Sequence, residues 1–389
     1  MNSFIVTIFL NTLYGLFLCR FKNRREKFVF SKPVAIYCVV VASAFAAFYV
    51  RNIYENYING LLKMRDTVLL YLDMNVGLCL INYVTQWAMT WEVTAFQKTI
   101  PIIETLNSFN MDMASIWRIF IVSAIKMWGF PVVVGVVLIL QQGRSSLTFS
   151  VMRASQTLFP LIVGNQLNNS FFGSVVVAKV VLTACNKELR KVLLEVNMMQ
   201  TPLQMRLNKP YYRMKRFCEL ADYLDDLALR YTIAITRSMD YLRLTALSLI
   251  CSLLINLVGF TVGFFNQYQA IADHFINGKP YDLIYEFTHF VFLLVPFLEI
   301  ALLARVSNSV VEDTLETGNL LQRFDLQYAD VRFRQVVETF WLQQRTIKYK
   351  LLPLGVIELN VGLVTKMMSA VTSFLLILIQ TDLTLKFSK

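Results

Sequence analysis

The chain has 389 residues, of which 56% are apolar, 13% aromatic and only 16% charged. Soluble domains carry about 25% charged residues, so this composition argues against an ordinary soluble enzyme. The net charge of +11 does not indicate nucleic acid, because the cations lie between apolar windows instead of along one stripe with interleaved aromatics.

The apolar residues gather into windows of roughly 20, the length an α-helix needs to cross about 30 Å of hydrocarbon. Seven windows qualify: 34–50, 67–89, 119–140, 157–185, 242–265, 284–304 and 354–380. Continuous apolar runs predict helices; a membrane strand would need only ~10 residues of alternating polarity. The expected fold is therefore an all-α polytopic membrane protein. Its parts are a cytoplasmic N-terminal segment (1–33), a six-helix bundle (34–304), anchor helices (305–353), a last span (354–380) and an external tail (381–389).

At the start of the chain, the apolar stretch 4–19 is followed, not preceded, by Arg20, Lys22, Arg24, Arg25 and Lys27. That order is wrong for a signal peptide and predicts a helix lying in the inner interface. Counting Lys and Arg between spans gives 25 on the side of the N-terminus and 8 on the other, with Lys126, Lys179, Arg243 and Lys366 inside spans. The positive-inside rule therefore places the N-terminus in the cytoplasm and the C-terminus outside. A G-protein-coupled receptor has the reverse orientation, and the chain lacks a DRY-like triplet and NPxxY.

The third and fourth spans carry the first candidate site residues. Asn165, Gln166, Asn168, Asn169 and Ser170 crowd the fourth, and each costs energy in lipid unless it faces protein or water. Two readings stay open: hydrogen bonding between packed helices, or the polar wall of a ligand pocket. For such a pocket, Gln166 and Asn169 would be joined by Tyr71, Trp128, Asn256, Phe260 and His289 from the other spans. The Asn168-Asn169-Ser170 sequon lies too deep for glycosylation.

Between spans four and five (186–241), Leu189, Val192, Leu193, Val196 and Met199 recur at helical spacing, as do Leu220, Tyr223, Leu227 and Tyr231. The second stretch has no break before the fifth span. Phe333, Val336, Val337, Phe340 and Trp341 form a third stripe. Such stripes must be buried, either against each other as an anchor beneath the membrane or on the lipid surface. Phe333, Val337, Phe340 and Trp341 are the candidates for an anchor and subunit interface. The six cysteines show no metal or disulfide spacing, and no GxSxG, HExxH or phosphate loop is present. No enzyme activity, metal or cofactor is expected.

The last span reads Leu354 to Asn360, then Ala370-Val371-Thr372-Ser373-Phe374, five apolar residues, and Gln380-Thr381 near the C-terminus. This resembles the signature of insect gustatory receptors, in which Ala-Val-Thr precedes Thr-Tyr, five apolar residues and Gln-Phe. Ser373, Phe374 and Thr381 stand where the family has Thr, Tyr and Phe.

The resemblance implies a tastant-gated, non-selective cation channel of four like or related subunits in the plasma membrane of a sensory dendrite, with no G protein. The last helix would line the pore, with Gln380 and Thr381 at the outer gate. The pocket would lie among the second to sixth spans. Ser373 and Ile377 fall on one broad stripe with Gln380, at ~100° per residue. Lys366 is only about 40° from Gln380, where four lysines would repel cations unless they snorkel or pair with Glu299 or Glu358. The departures from the motif favour a bitter or deterrent ligand over sugar. A transporter of a polar solute, or an accessory subunit that does not conduct, are the competing functions.

Overall fold

The computed structural model describes residues 12–22, 27–58, 67–92, 117, 121–141, 147–207, 210–278, 281–347 and 349–387. It opens with an antiparallel hairpin, β1 (Cys19–Lys22) and β2 (Lys27–Phe30), and is otherwise helical. The helices are α1 (Lys32–Ile58), α2 (Thr67–Ala88), a π-helical turn (Ile125–Gly129) running into α3 (Phe130–Gln141), α4 (Leu147–Met199), α5 (Pro202–Leu207), α6 (Pro210–Asn277), α7 (Leu283–Gln322), α8 (Val331–Thr346) and α9 (Val361–Phe387).

Among the described residues, six helical stretches are long and apolar enough to cross a membrane: Lys32–Glu55, Ile121–Leu140, Val151–Met199, Pro210–Ile276, Leu283–Gln322 and Val361–Leu385. The helix α2 has comparable length but carries Asp73, Asn75 and Asn82 on its apolar background. The expected interfacial helix over 4–19 falls partly outside the described residues. Of its described part, residues 12 and 13 are helical, 14 and 15 turn, and the chain reaches the first strand at Cys19, with Leu16 buried against α1 and α2.

Three of the helices far exceed a span. At 1.5 Å per residue, α6 is about 100 Å long and joins the predicted Leu220 stripe to the fifth span without a break. The projecting ends of α4, α6 and α7, with α8, make a helical layer at one end of the bundle. Its core holds Leu189, Val192, Leu224, Tyr231, Phe333 and Phe340. In water such a stripe is driven together by roughly 1.5–3 kcal/mol per large buried side chain.

This packing settles what the stripe on α8 touches. Phe333 is 0% exposed and packs on Phe217 and Phe324, while Phe340 meets Tyr231 edge-on. Phe333, Val337 and Phe340 are thus buried within one chain. Trp341 remains at the rim under the Arg345 guanidinium.

Inside the bundle, lipid removes most of the hydrophobic drive, so close packing and hydrogen bonds hold the helices. Pro160 deprives the Gln156 carbonyl of its α-helical donor, and the Tyr49 hydroxyl supplies one at 2.7 Å. The Asn82 amide donates to the Gly164 carbonyl at 2.9 Å.

The last helix begins at Val361, after the first residues of the predicted span. Pro353 and Gly355 form a 3-10 turn in which Leu354 and Gly355 take positive φ. Asn360 then caps α9, its carboxamide oxygen accepting from Leu363 N–H. The helix runs on to Phe387, so Thr381 lies within it.

Candidate functional site

Pro131 shapes the wall of a cavity inside the bundle. A proline cannot donate to the carbonyl four residues earlier, and its ring crowds that carbonyl. The preceding turn, Ile125–Gly129, is accordingly widened to π geometry, with Phe130 N–H donating to Ile125 O. Such turns recur at functional sites. Within this turn Lys126 is buried, while Trp128 lines the cavity and stays half-exposed.

A cavity of about 400 Å3 opens between α2, the π turn, α3, α4 and α7, within the range of small-molecule sites. Apolar walls come from Phe130, Val134, Leu161, Ile162, Phe292 and Val295; the polar groups are Tyr14, Tyr71, Asn165, Gln166, Asn169 and Glu299.

The amide run in α4 divides between two faces. Asn165, Gln166 and Asn169 line the cavity, whereas Asn168 turns to α6 and accepts from the Ser248 hydroxyl at 3.4 Å. The run therefore faces two ways: one side lines the cavity and the other bonds to a packed helix. Gln166 is 2% exposed and Asn169 7%, yet Gln166 Nε2 and Asn169 Oδ1 have no hydrogen-bond partner. Buried polar atoms are paired in the great majority of cases, so these two amides are exceptions on the cavity-lining face of α4.

Four of the seven predicted pocket residues line this cavity: Tyr71, Trp128, Gln166 and Asn169. Asn256 stands one step behind, accepting from the Tyr71 hydroxyl. That contact depends on Gly259, where an added Cβ would come within 2.8 Å of the Tyr71 ring. Phe260 and His289 are elsewhere. Phe260 packs edge-on against Phe297, and His289 shares a 2.8 Å hydrogen bond with Gln267 between α6 and α7.

Glu299 is the carboxylate of the cavity, and sequence reasoning did not place it there. Its partner is Lys126, with Nζ 3.7 Å from Oε2, and not Lys366. Lys126 is 3% exposed and lies 5.5 Å from the Phe172 ring centroid. The available signal was two opposite charges inside separate spans, which are expensive in lipid unless paired.

A second feature is the exposed face of α9. Leu363 and Val371 pack into the chain's own core. At about 100° per residue, Val371 lies about 180° from Gln380, while Ser373, Ile377 and Lys366 fall within about 60° of Gln380. All four are exposed, as is Thr381. The hydroxyls on this helix bond back to its own carbonyls, Ser373 to Ser369 O at 3.0 Å and Thr381 to Ile377 O at 2.8 Å. Both hydroxyl donors are therefore satisfied within the helix itself.

The family model of the 7tm chemosensory receptors matches residues 6–385. The chain is 50% identical to "Putative gustatory receptor 97a" of Drosophila melanogaster over 98% of this chain and 90% of that protein. It is 41% identical to "Putative gustatory receptor 94a" of the same species over 98% and 95% of the two chains. A shorter match, 27% over 45% of this chain and 40% of the relative, is to "Gustatory receptor for bitter taste 93a" of that species. Among solved structures, the insect olfactory receptor OR5 from Machilis hrabei in complex with eugenol superposes with a TM-score of 0.64, at 12% identity and 98% coverage of both chains. A second structure of the same receptor gives 0.65 at 11% identity, again covering 98% of both chains. Sequence motif, family match and fold agree, and the chain belongs to the insect gustatory receptors within the 7tm chemosensory receptor family.

Proposed function

We propose that the protein is one subunit of a tastant-gated, non-selective cation channel in the plasma membrane of a chemosensory neuron. In this reading a small molecule enters the cavity beside Gln166, Asn169 and Glu299. Four copies of α9, from this chain or related chains, surround the pore. Ser373, Ile377 and Gln380 line the pore, Thr381 ends it, and Lys366 stands at its far end. The N-terminus and the α8 layer are cytoplasmic.

The observation that carries the reading is the exposure of α9. Only 11% of its most apolar window is buried, the lowest share among the six candidate spans. The exposed face also holds the polar residues of the gustatory signature. A face mixing Ser373, Gln380 and Lys366 with Ile377 suits a water-filled pathway with an apolar constriction better than it suits lipid.

The cavity supports a bitter or deterrent ligand over a sugar. A sugar has many hydroxyls to satisfy, whereas this cavity offers few polar side chains on mainly apolar walls. The bitter-taste relative matches less than half of the chain and adds modest support.

The test is voltage clamp of cells expressing the chain, alone and with related receptors, under a panel of bitter compounds. A ligand-evoked current reversing near zero supports the channel. Saturable solute uptake without such a current would replace it with a carrier.

A further inference from the structure

We propose that the cavity is charge-selective and takes a neutral amphiphile, an apolar ring-sized body bearing one hydroxyl or amide, in preference to an ammonium or a carboxylate. This rests on reading the cavity as the ligand site.

The argument starts from the ion pair. Among the described residues, Glu299 is the one carboxylate lining the cavity, and no lysine or arginine lines it. Lys126 does not line the cavity but pairs with Glu299 at 3.7 Å, so the charge of the cavity's carboxylate is balanced from within the protein. Charge within a low-dielectric interior is costly unless it is balanced, by several kcal/mol per ion. An ammonium ligand reaching Glu299 would put a second cation beside Lys126. A carboxylate would put a second anion beside Glu299. A neutral molecule adds neither.

The orphaned amide atoms then specify the polar end. Gln166 Nε2 is a donor without an acceptor, and Asn169 Oδ1 an acceptor without a donor. One hydroxyl or one amide both accepts and donates, and so offers the kind of partner that each of the two lacks. The aromatic and aliphatic walls take the remainder, with Tyr71 held in place by Asn256.

The same geometry says how selectivity would be changed. Lys126→Met leaves Glu299 unbalanced and should favour a cation, and Glu299→Gln leaves Lys126 unbalanced and should favour an anion. The measurement is displacement of 1-aminoanthracene fluorescence from the full-length assembled receptor in lipid nanodiscs. The competitors are 2-phenylethanol, 2-phenylethylammonium and phenylacetate, which share a ring and differ in charge. Gly135→Leu, which places a side chain against Leu158 in the cavity, serves as the control for the site itself.

The alcohol should compete best in the wild type. The ammonium-to-alcohol ratio should rise at least about tenfold in Lys126→Met, since an opposite charge within a few ångströms is worth one to three units of ionisation constant. The carboxylate-to-alcohol ratio should rise similarly in Glu299→Gln, which carries the test alone if Lys126→Met does not fold. An unchanged ranking in the variants, or a wild type that prefers the ammonium, overturns the charge selectivity while leaving the cavity as the site. Probe binding unaffected by Gly135→Leu overturns the site reading, and the selectivity with it.

Discussion

At the residue scale, the cavity depends on a few polar side chains whose partners lie far away in sequence. Gln166→Leu or Asn169→Leu removes one hydrogen bond to a ligand and should raise the half-maximal concentration about threefold to tenfold, leaving any spontaneous current intact. Loss of ligand response and spontaneous current together would instead assign these amides to helix packing. Gly259→Ala should push the Tyr71 ring off α6 and break its bond to Asn256, at a cost of about 1–3 kcal/mol in thermal stability. Stability unchanged by this substitution would show that the contact is not a tight one. The amide run was legible in the sequence because polar residues stand out against an apolar span. Its division between cavity and α6 was not, since a one-residue step turns a helical side chain by about 100°. The Lys126–Glu299 pair was hidden for another reason: nothing local links the third span to the sixth, and the π turn that sets Lys126 in place follows from Pro131.

At the element scale, the periods of the long helices were visible but one phase was not. The expected stripe Leu220, Tyr223, Leu227, Tyr231 is in fact Leu220, Leu224, Leu227, Tyr231. Steps of three and four both fit a helix, and Tyr223 instead points outward, its hydroxyl donating to Glu188 at 3.0 Å. The start of α9 was misplaced because hydropathy continues through Leu354 and Val356, although Pro353, Gly355 and Asn360 spell a break and a cap. The α8 stripe was seen correctly as buried. Because it is buried inside one chain, Phe333→Ser or Phe340→Ser should cost the subunit about 3–5 kcal/mol and reduce folded yield. Detergent-stable monomers of otherwise normal stability from these variants would return the stripe to the subunit interface. For α9, cysteines at Ser373, Ile377 and Gln380 should react with external thiol reagents when the channel is open. Cysteine at Val371, on the packed face, should not. Equal labelling at Val371 and Ile377 would remove this face from the pore.

At the scale of the whole molecule, length and spacing of the apolar windows were enough to give a helical membrane protein, and the last span was enough to give the family. What the sequence withheld is how an apolar cavity and an exposed helix face are arranged on one subunit. The cavity is bounded by α2, α3, α4 and α7, and α9 packs on α6 and α7, so α7 touches both features. In the proposed channel, a ligand that shifts α7 would act on α9 through this direct contact. The central claim is that the exposed face of α9 lines a gated cation pore, with Ile377 one turn inside Gln380 as an apolar constriction. Apolar rings exclude ions by excluding water, so adding a hydroxyl there should wet the pathway. The most direct measurement is the whole-cell current of surface-expressed Ile377→Ser in the absence of ligand. A standing current carried by Na+ and K+ alike, reversing near zero and absent from the wild type, is the expected result. A variant that reaches the surface in normal amount but passes no more current than untransfected cells would contradict the account.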